Sequence, residues 1–227
     1  MKNSVKLNLP AWVIVAAVIL AALIGWSLMS TSSMSYGSKG QMAPRTKAQM
    51  QAMNTTLDKA LGQMDVALQH AGLAGKAKDL AGLQTHVHQA LNVMEGQGGP
   101  DYDASAGKPG DGHGVQVYLQ DMMKACTRMG SGPMAMGMMA GPMTKMRAQM
   151  VQTLQSTQQA GQKAVKYLNE ALKAKMLAAA QGSLKEAMKE LQVMKGMPGS
   201  MSPKTGGLTL ARMMMTRMMK MISPAKK

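Results

Sequence analysis

Apolar residues recur every three or four positions over most of the chain from residue 44 onward, the spacing of one buried face on an α-helix. The first such stripe predicts a helix that begins after Pro44 and ends at the glycines Gly72 and Gly75. Its members are Met50, Met53, Leu57, Leu61, Met64 and Leu68.

Further stripes predict helices at about 76–95, 113–129, 142–178 and 183–195. Strand signals are nearly absent, because β-branched residues are few and no run alternates apolar with polar positions. We therefore expect an all-α protein. Its bundle, at 44–195, would be an antiparallel arrangement of about four to five helices.

The N-terminal segment has the pattern of a membrane anchor. Residues 9–29 carry no charge, and at 1.5 Å per residue they span about 31 Å, one bilayer core. Trp12 and Trp26 lie near the two ends, as interfacial aromatic residues do. Lys2 and Lys6 precede the segment and should stay in the cytoplasm, so the bulk of the chain is expected in the periplasm or outside the cell.

A cleaved signal peptide is the alternative to a single-pass inner-membrane anchor. Its apolar region would be shorter, and only Ser33-Met34-Ser35 approaches a cleavage site. With an uncleaved anchor, residues 1–8 form a basic cytoplasmic stub. Residues 30–43, rich in Ser, Gly, Thr and Met, form a linker to the bundle.

Charge and composition restrict the partners. The formal net charge of +15 predicts attraction to anionic surfaces such as lipid head groups or acidic partners. Nucleic acid is not expected, since two Trp and four Tyr are the only aromatic residues and there is no zinc-finger or RNP-like motif. The single cysteine, Cys126, excludes an internal disulfide.

A Gly- and Pro-rich loop at 96–112 is long for a bundle connection and is a candidate site. Imidazoles and carboxylates in and around it could together hold Zn, Cu(II), Ni or Fe. The alternative is that they cap or hydrogen-bond the loop and bind nothing. The candidate ligands are His86, His88, Glu95, Asp101, Asp103, Asp111 and His113.

Calcium is a second possibility for the same loop. Asp101, Asp103 and Ser105 follow the one, three, five spacing of an EF-hand loop. The match is partial, because the sixth position is Ala106 and the twelfth is Gly112, where a bidentate Glu is needed. Otherwise the loop is a connector whose Asp side chains make local backbone bonds.

Within the Met-rich segment at 130–143, the methionines at 134–139 are not explained by helical packing, because Gly and Pro surround them. Soft thioethers select soft cations, above all Cu(I). The Met-x-Met and Met-Met patterns are similar to those of copper transport and resistance proteins outside the cytoplasm. The segment could instead be an adaptable surface for a protein partner, or fold over the core. Its candidate copper ligands are Met134, Met136, Met138 and Met139.

Methionines on the helical stripes are predicted to fill the core, where they replace the absent Phe. Cys126 shares a helix face with Met122 and Met129, a set that would suit Cu(I), although a lone buried cysteine is more often a small apolar residue. The predicted core methionines are Met50, Met64, Met94, Met122, Met143, Met146, Met150 and Met188.

The tail at 196–227 is predicted to contain an amphipathic helix at 207–222. Arg212, Arg217 and Lys220 lie on its polar arc, and methionine and leucine fill the other side. This pattern is typical of an interfacial helix on an anionic membrane. Docking onto the bundle and disorder are the alternatives.

No catalytic motif is present, so we do not expect an enzyme. The leading hypothesis is a membrane-anchored helical protein of the bacterial envelope that binds a transition metal, above all copper, for sequestration or hand-over. The second is a non-catalytic scaffold or accessory subunit. It would use its Met-rich surface and basic tail to bind a membrane complex or anionic lipid.

Overall fold

Six α-helices make up the part of the chain that the structure describes. The computed structural model describes residues 44–129 and 141–222, so the predicted anchor at 9–29 and linker at 30–43 lie outside it. The described residues contain no strand, which confirms the all-α prediction. The helices are α1 (Pro44–Gly75), α2 (Leu80–Glu95), α3 (Val115–Met129), α4 (Pro142–Lys173), α5 (Leu177–Lys195) and α6 (Gly207–Ile222), and a short 3₁₀ turn occupies Ala104–Ala106.

The prediction of one helix over 142–178 and another from residue 183 is wrong. The break lies earlier, where Ala174 and Met176 take extended backbone angles between α4 and α5. Gly182, just before the predicted start at 183, lies inside α5 at an exposed position, and a Cβ added to it would meet nothing within 4 Å. Tertiary packing tolerates a glycine on the outer face of a helix, so its presence alone does not end one.

Two other helices begin later than predicted. α2 starts at Leu80 because the carboxylate of Asp79 accepts the N–H of Gly82 at 2.7 Å and caps the helix. α3 starts at Val115 rather than His113 because Gly114 has a φ of +90°, which is not helical.

The second half of the bundle repeats the plan of the first. α1 and α4 each have 32 residues, and each is followed by two helices of about half that length. Each long helix packs against all four short helices. The sequences also match at a spacing of 100 residues, most clearly LNVMEG at 91–96 and LQVMKG at 191–196.

α3 runs antiparallel to α1. It starts beside the middle of α1, where Gln63 accepts the N–H of Asp111 at 3.1 Å. Its last residue, Met129, lines a groove together with Gln49, which lies near the start of α1.

α6 runs antiparallel to α1 in the same way. Lys195, the last residue of α5, pairs with Asp65 at 2.6 Å, and Arg212 within α6 pairs with Asp58 at 2.7 Å. The end of the bundle where α1 and α4 begin and α3 and α6 finish is called the entry end. The opposite end, which carries the two short turns at 76–79 and 174–176, is called the turn end.

The core is built from methionine, leucine and alanine. Five of the methionines predicted to lie in the core are at most 1% exposed, namely Met50, Met64, Met94, Met122 and Met150, while Met143, Met146 and Met188 are partly buried against it. This chain has no Phe, and flexible methionine side chains fill the irregular gaps in the core instead. Buried alanines on every long helix let the helix axes approach closely.

The C-terminal helix has the predicted bounds but not the predicted contact. The apolar side of α6 is buried against α1, α4 and α5, with Leu208 and Met215 fully covered. The expectation that this side enters a lipid surface is therefore corrected. In the alternative of docking onto the bundle, the apolar side of α6 is buried inside the protein, as it is here. Among residues 44–129 and 141–222, no helix is both long and apolar enough to span a membrane.

Candidate functional site

The long loop between α2 and α3, residues 96–114, is held in place by the buried side-chain amide of Asn92 on α2. Asn92, 1% exposed, donates to the carbonyls of Asp103 at 2.6 Å and Gly107 at 3.1 Å, and it accepts the N–H of Asp103 at 2.8 Å. Three backbone groups are thereby satisfied away from water. We call this segment the first waist loop.

The acids at the start of this loop serve the loop itself. Glu95 is buried, and its carboxylate accepts the N–H of Asp101 at 2.8 Å. Burial raises the pKa of Glu95, and the hydrogen bond from Asp101 opposes this. The side chain of Asp101 accepts from Asn169 at 2.6 Å, so it ties the loop to α4.

Asp103 forms a local turn of the kind expected for a connector. Its Oδ1 accepts both the N–H and the hydroxyl of Ser105, at 2.8 and 2.6 Å. These bonds lower the pKa of Asp103. Nδ1 of His88 lies 3.8 Å from its other oxygen, beyond hydrogen-bond distance.

The end of the loop is held by hydrogen bonds to the carboxylate of Asp111. Asp111 accepts the N–H of His113 at 3.0 Å and the hydroxyl of Tyr118. Burial acts to raise the pKa of Asp111, but these two bonds and His113 lower it on balance, and the pKa of Tyr118 rises to about 12 through burial and the same bond. The ring of His113 points to Asp121, 3.5 Å away.

The candidate ligands therefore do not converge on one point. His88, His113 and His86 each face a different partner, and within the described ranges no three His, Cys, Asp or Glu side chains form a group that could hold a metal ion. The arrangement matches the alternative in which the loop residues hydrogen-bond the loop. The predicted thioether ligands Met134, Met136, Met138 and Met139 lie outside the described residues, so copper binding there stays a prediction.

His70 was missed by sequence reasoning, although it lies opposite a predicted ligand. His70 on α1 and His86 on α2 face each other across the helical hairpin, with ring centroids 5.9 Å apart. They are 16 positions apart in sequence, with a turn between them, so no helical spacing links them. The antiparallel pairing of α1 and α2 about the turn at 76–79 brings them together.

Cys126 is a buried apolar residue in this structure. It is fully covered within the core cluster that also contains Met122. Burial raises the pKa of the Cys126 thiol to about 11, against the opposing effect of Arg147. A thiol that stays protonated at neutral pH is a poor ligand for a metal.

Basic side chains outnumber acids in the described turns at the entry end of the bundle. The exposed residues Lys47, Lys145, Arg217 and Lys220 occupy the first turns of α1 and α4 and the last turns of α6. In the described turns of this end the one acid is Asp121, and it already pairs with Lys124 at 3.8 Å. Arg217 and Lys220, predicted to face a membrane, are thus exposed here, whereas Arg212 is engaged with Asp58 nearer the middle of the bundle.

Comparisons with known proteins give no match for this chain. No protein family, no curated protein and no solved structure is significantly similar to it. The functional conclusion must therefore come from the side chains and their arrangement.

Proposed function

We propose that this chain is a non-catalytic accessory protein that is tethered to a membrane and holds its bundle against an anionic lipid surface. The observation that supports this is the basic entry end. Lys47, Lys145, Arg217 and Lys220 are exposed there, and Asp121, which pairs with Lys124, is the one acid in the described turns of this end. Each such base near an anionic membrane contributes about 1 kcal/mol of attraction.

The position of this end fits the predicted anchor. The chain enters α1 at Pro44, at the entry end, directly after the predicted linker at 30–43. A Gly- and Ser-rich random coil of this length would have an end-to-end distance of roughly 20 Å. The predicted linker therefore joins the bundle at the end that carries these basic residues.

The apolar side of α6 takes no part in this proposal, because it is buried in the bundle. The attraction is electrostatic, so it should weaken steeply with salt. A protein partner with an acidic face is the competing occupant, and it is an outcome of the experiment below.

The test uses the compact unit Met42–Lys227, first checked for helical circular dichroism and a cooperative thermal transition. Binding to vesicles of phosphatidylcholine with phosphatidylglycerol is measured by co-sedimentation at several salt concentrations. We expect binding that requires the anionic lipid. Replacing Lys47, Lys145, Arg217 and Lys220 with glutamine should weaken it by about 100-fold or more.

The matched control removes the same charge from the turn end. Replacing the exposed residues Lys76, Lys173, Lys175 and Lys185 with glutamine should change the affinity by less than about 10-fold. Equal loss in both variants would mean that net charge alone attracts the protein. Absence of any preference for the anionic lipid would reject the proposal and favour a protein partner.

A further inference from the structure

The four histidines of the described chain include one facing pair, His70 and His86, each partly buried between α1 and α2. Their rings are tilted by 32° with centroids 5.9 Å apart. Nitrogen ligands lie about 2.0–2.1 Å from zinc, so the donors of one ion are about 3–4 Å apart. Rings at this separation can place two nitrogens that close.

The first waist loop fixes the tautomer of His86. Nε2 of Gln89 donates to the carbonyl of Ala106 at 3.1 Å, which turns Oε1 of the same amide toward His86. Nδ1 of His86 lies 2.8 Å from that oxygen, and because a carbonyl oxygen only accepts, Nδ1 must carry the proton. The neutral ring then has a free lone pair on Nε2.

This arrangement is the one that supports a metal-ligating histidine. Such a histidine donates its other ring N–H to a carbonyl or carboxylate, which sets the ring orientation and raises the basicity of the ligating nitrogen. Gln89 supplies that acceptor, and the 3₁₀ turn at Ala104–Ala106 supplies the carbonyl that orients Gln89.

His70 provides a second nitrogen that lacks a protein partner. Its Nδ1 is buried and makes no hydrogen bond within the described residues. A buried polar atom without a partner is costly, so a bound ion or a water molecule at this nitrogen would stabilise the fold. Burial and the neighbouring His86 lower the pKa of His70, against the effect of Gln89, which favours the neutral ring.

We propose that His70 and His86 together bind one divalent transition-metal ion of the imidazole-preferring class, zinc, copper(II) or nickel, in the α1–α2 hairpin, with Gln89 as the positioning residue. Water supplies the remaining ligands, so an affinity in the micromolar range is expected. This site is separate from the basic entry end and does not depend on the membrane proposal.

The experiment is a calorimetric titration of the full chain in detergent with Zn²⁺, which thioethers bind poorly compared with Cu(I). We expect one ion per chain. His70→Ala and His86→Ala should each weaken binding by at least about 10-fold. His88→Ala and His113→Ala are matched controls, because these imidazoles face Asp103 and Asp121 instead, and they should change the affinity less than twofold.

Two further variants separate a bound metal from a structural role. Gln89→Leu keeps both imidazoles but removes the acceptor, and it should weaken binding by about 10-fold while leaving the stoichiometry at one. His70→Gln replaces His70→Ala if the latter does not fold. Cu²⁺ added to the wild type should show two coupled nitrogens by electron paramagnetic resonance, and one in His86→Ala.

The proposal is overturned if the wild type binds Zn²⁺ no more tightly than the His70→Ala/His86→Ala double variant, since a water would then complete Nδ1 of His70. It is also overturned if the two control variants lose as much affinity as the two ligand variants. Vesicle binding should be the same in all of these variants, so failure here leaves the membrane proposal untouched.

Discussion

The two halves of the bundle share one helical plan but carry different chemistry. Residues 44–129 contain eight acids and eight bases, whereas residues 141–222 contain three acids and thirteen bases. All four histidines lie in the first half. The helix lengths and packing partners nevertheless repeat. The same helical plan is thus built twice with different surface residues.

The two halves differ most in the loops that precede their last helices, the first waist loop at 96–114 and the connection at 196–206. Position 92 is a buried Asn that organises the first waist loop, while position 192 is an exposed Gln. Position 95 is a buried Glu, while Lys195 pairs with Asp65 across the halves. The second connection, residues 196–206, is shorter and is closed by a 2.6 Å contact between Ser200 and Thr205. In the first half, the buried polar side chains therefore hydrogen-bond and order the loop.

In each half, the backbone before or at the start of the last helix lies close to the backbone at the end of the preceding helix. If both halves depend on this contact, Gly114→Ala and Gly207→Ala should lower the free energy of unfolding equally. Both have positive φ, and an added Cβ would lie 2.4 Å from the backbone carbonyl of Glu95 or 2.3 Å from that of Met194. Strain and overlap together should cost about 3–5 kcal/mol in each case. Denaturant unfolding measures this.

The matched controls are Gly62→Ala and Gly182→Ala, in open positions on α1 and α5. These should stabilise the protein by about 0.5–1 kcal/mol. If Gly114→Ala or Gly207→Ala left the free energy of unfolding unchanged, the close backbone contacts of the two halves would not be equivalent.

The loops should respond differently to loss of the residue at positions 92 and 192. Asn92→Ala leaves three backbone groups of the first waist loop without a partner and should cost about 2–3 kcal/mol. Gln192→Ala should stay within about 0.5 kcal/mol. Urea unfolding compares the two, and similar losses would mean that Asn92 does not organise the loop.

Acid sensitivity should come more from the first half than from the second. The pKa of Asp111 is lowered in the folded state, so its stabilising contribution is complete above its unfolded pKa and is lost as the pH falls through the folded value. Tyr118→Phe removes one of its hydrogen bonds and should cost about 1 kcal/mol at pH 7.

Because Tyr118→Phe brings the folded pKa of Asp111 closer to the unfolded one, the variant should lose less stability than the wild type between pH 5 and pH 2. Unfolding free energies across that range measure the difference. Tyr167→Phe in the second half is the control and should follow the wild type. A variant curve parallel to that of the wild type would exclude this role for Tyr118.

The smallest effect is expected for the ion pairs that join the halves. Asp58→Asn and Asp65→Asn remove the partners of Arg212 and Lys195, all of which are largely exposed. Each should cost at most about 1 kcal/mol, and the cost should disappear in about 1 M salt. A larger, salt-resistant loss would indicate that these pairs fix how the halves pack.

The apolar periodicity predicted the helices and much of the core. The bounds of α6 agree with the prediction, and Pro44 and Gly75 mark the ends of α1 as expected. The α4–α5 break was misplaced because the Gly182-Ser183 pair is a stronger local breaker than anything at 174–176. The repeat of the two halves was missed, because few matched positions besides the buried ones keep the same residue.

The candidate site was predicted less well than the helices. Sequence proximity grouped His86, His88 and His113 with the loop acids, but helix direction turns each ring toward a different neighbour. His70 was not considered because its partner lies on another helix. A pairing of residues equidistant from the turn at 76–79 would have found it, since antiparallel neighbours meet at such positions.

The sequence by itself determined that this chain is helical, rich in methionine inside, and strongly basic in its second half, because periodicity and charge are local properties. Only the tertiary structure decided which polar groups meet. Whether an imidazole faces a carboxylate, an amide or a second imidazole depends on how two helices rotate against each other, and that rotation is set by the packing of the buried residues between them.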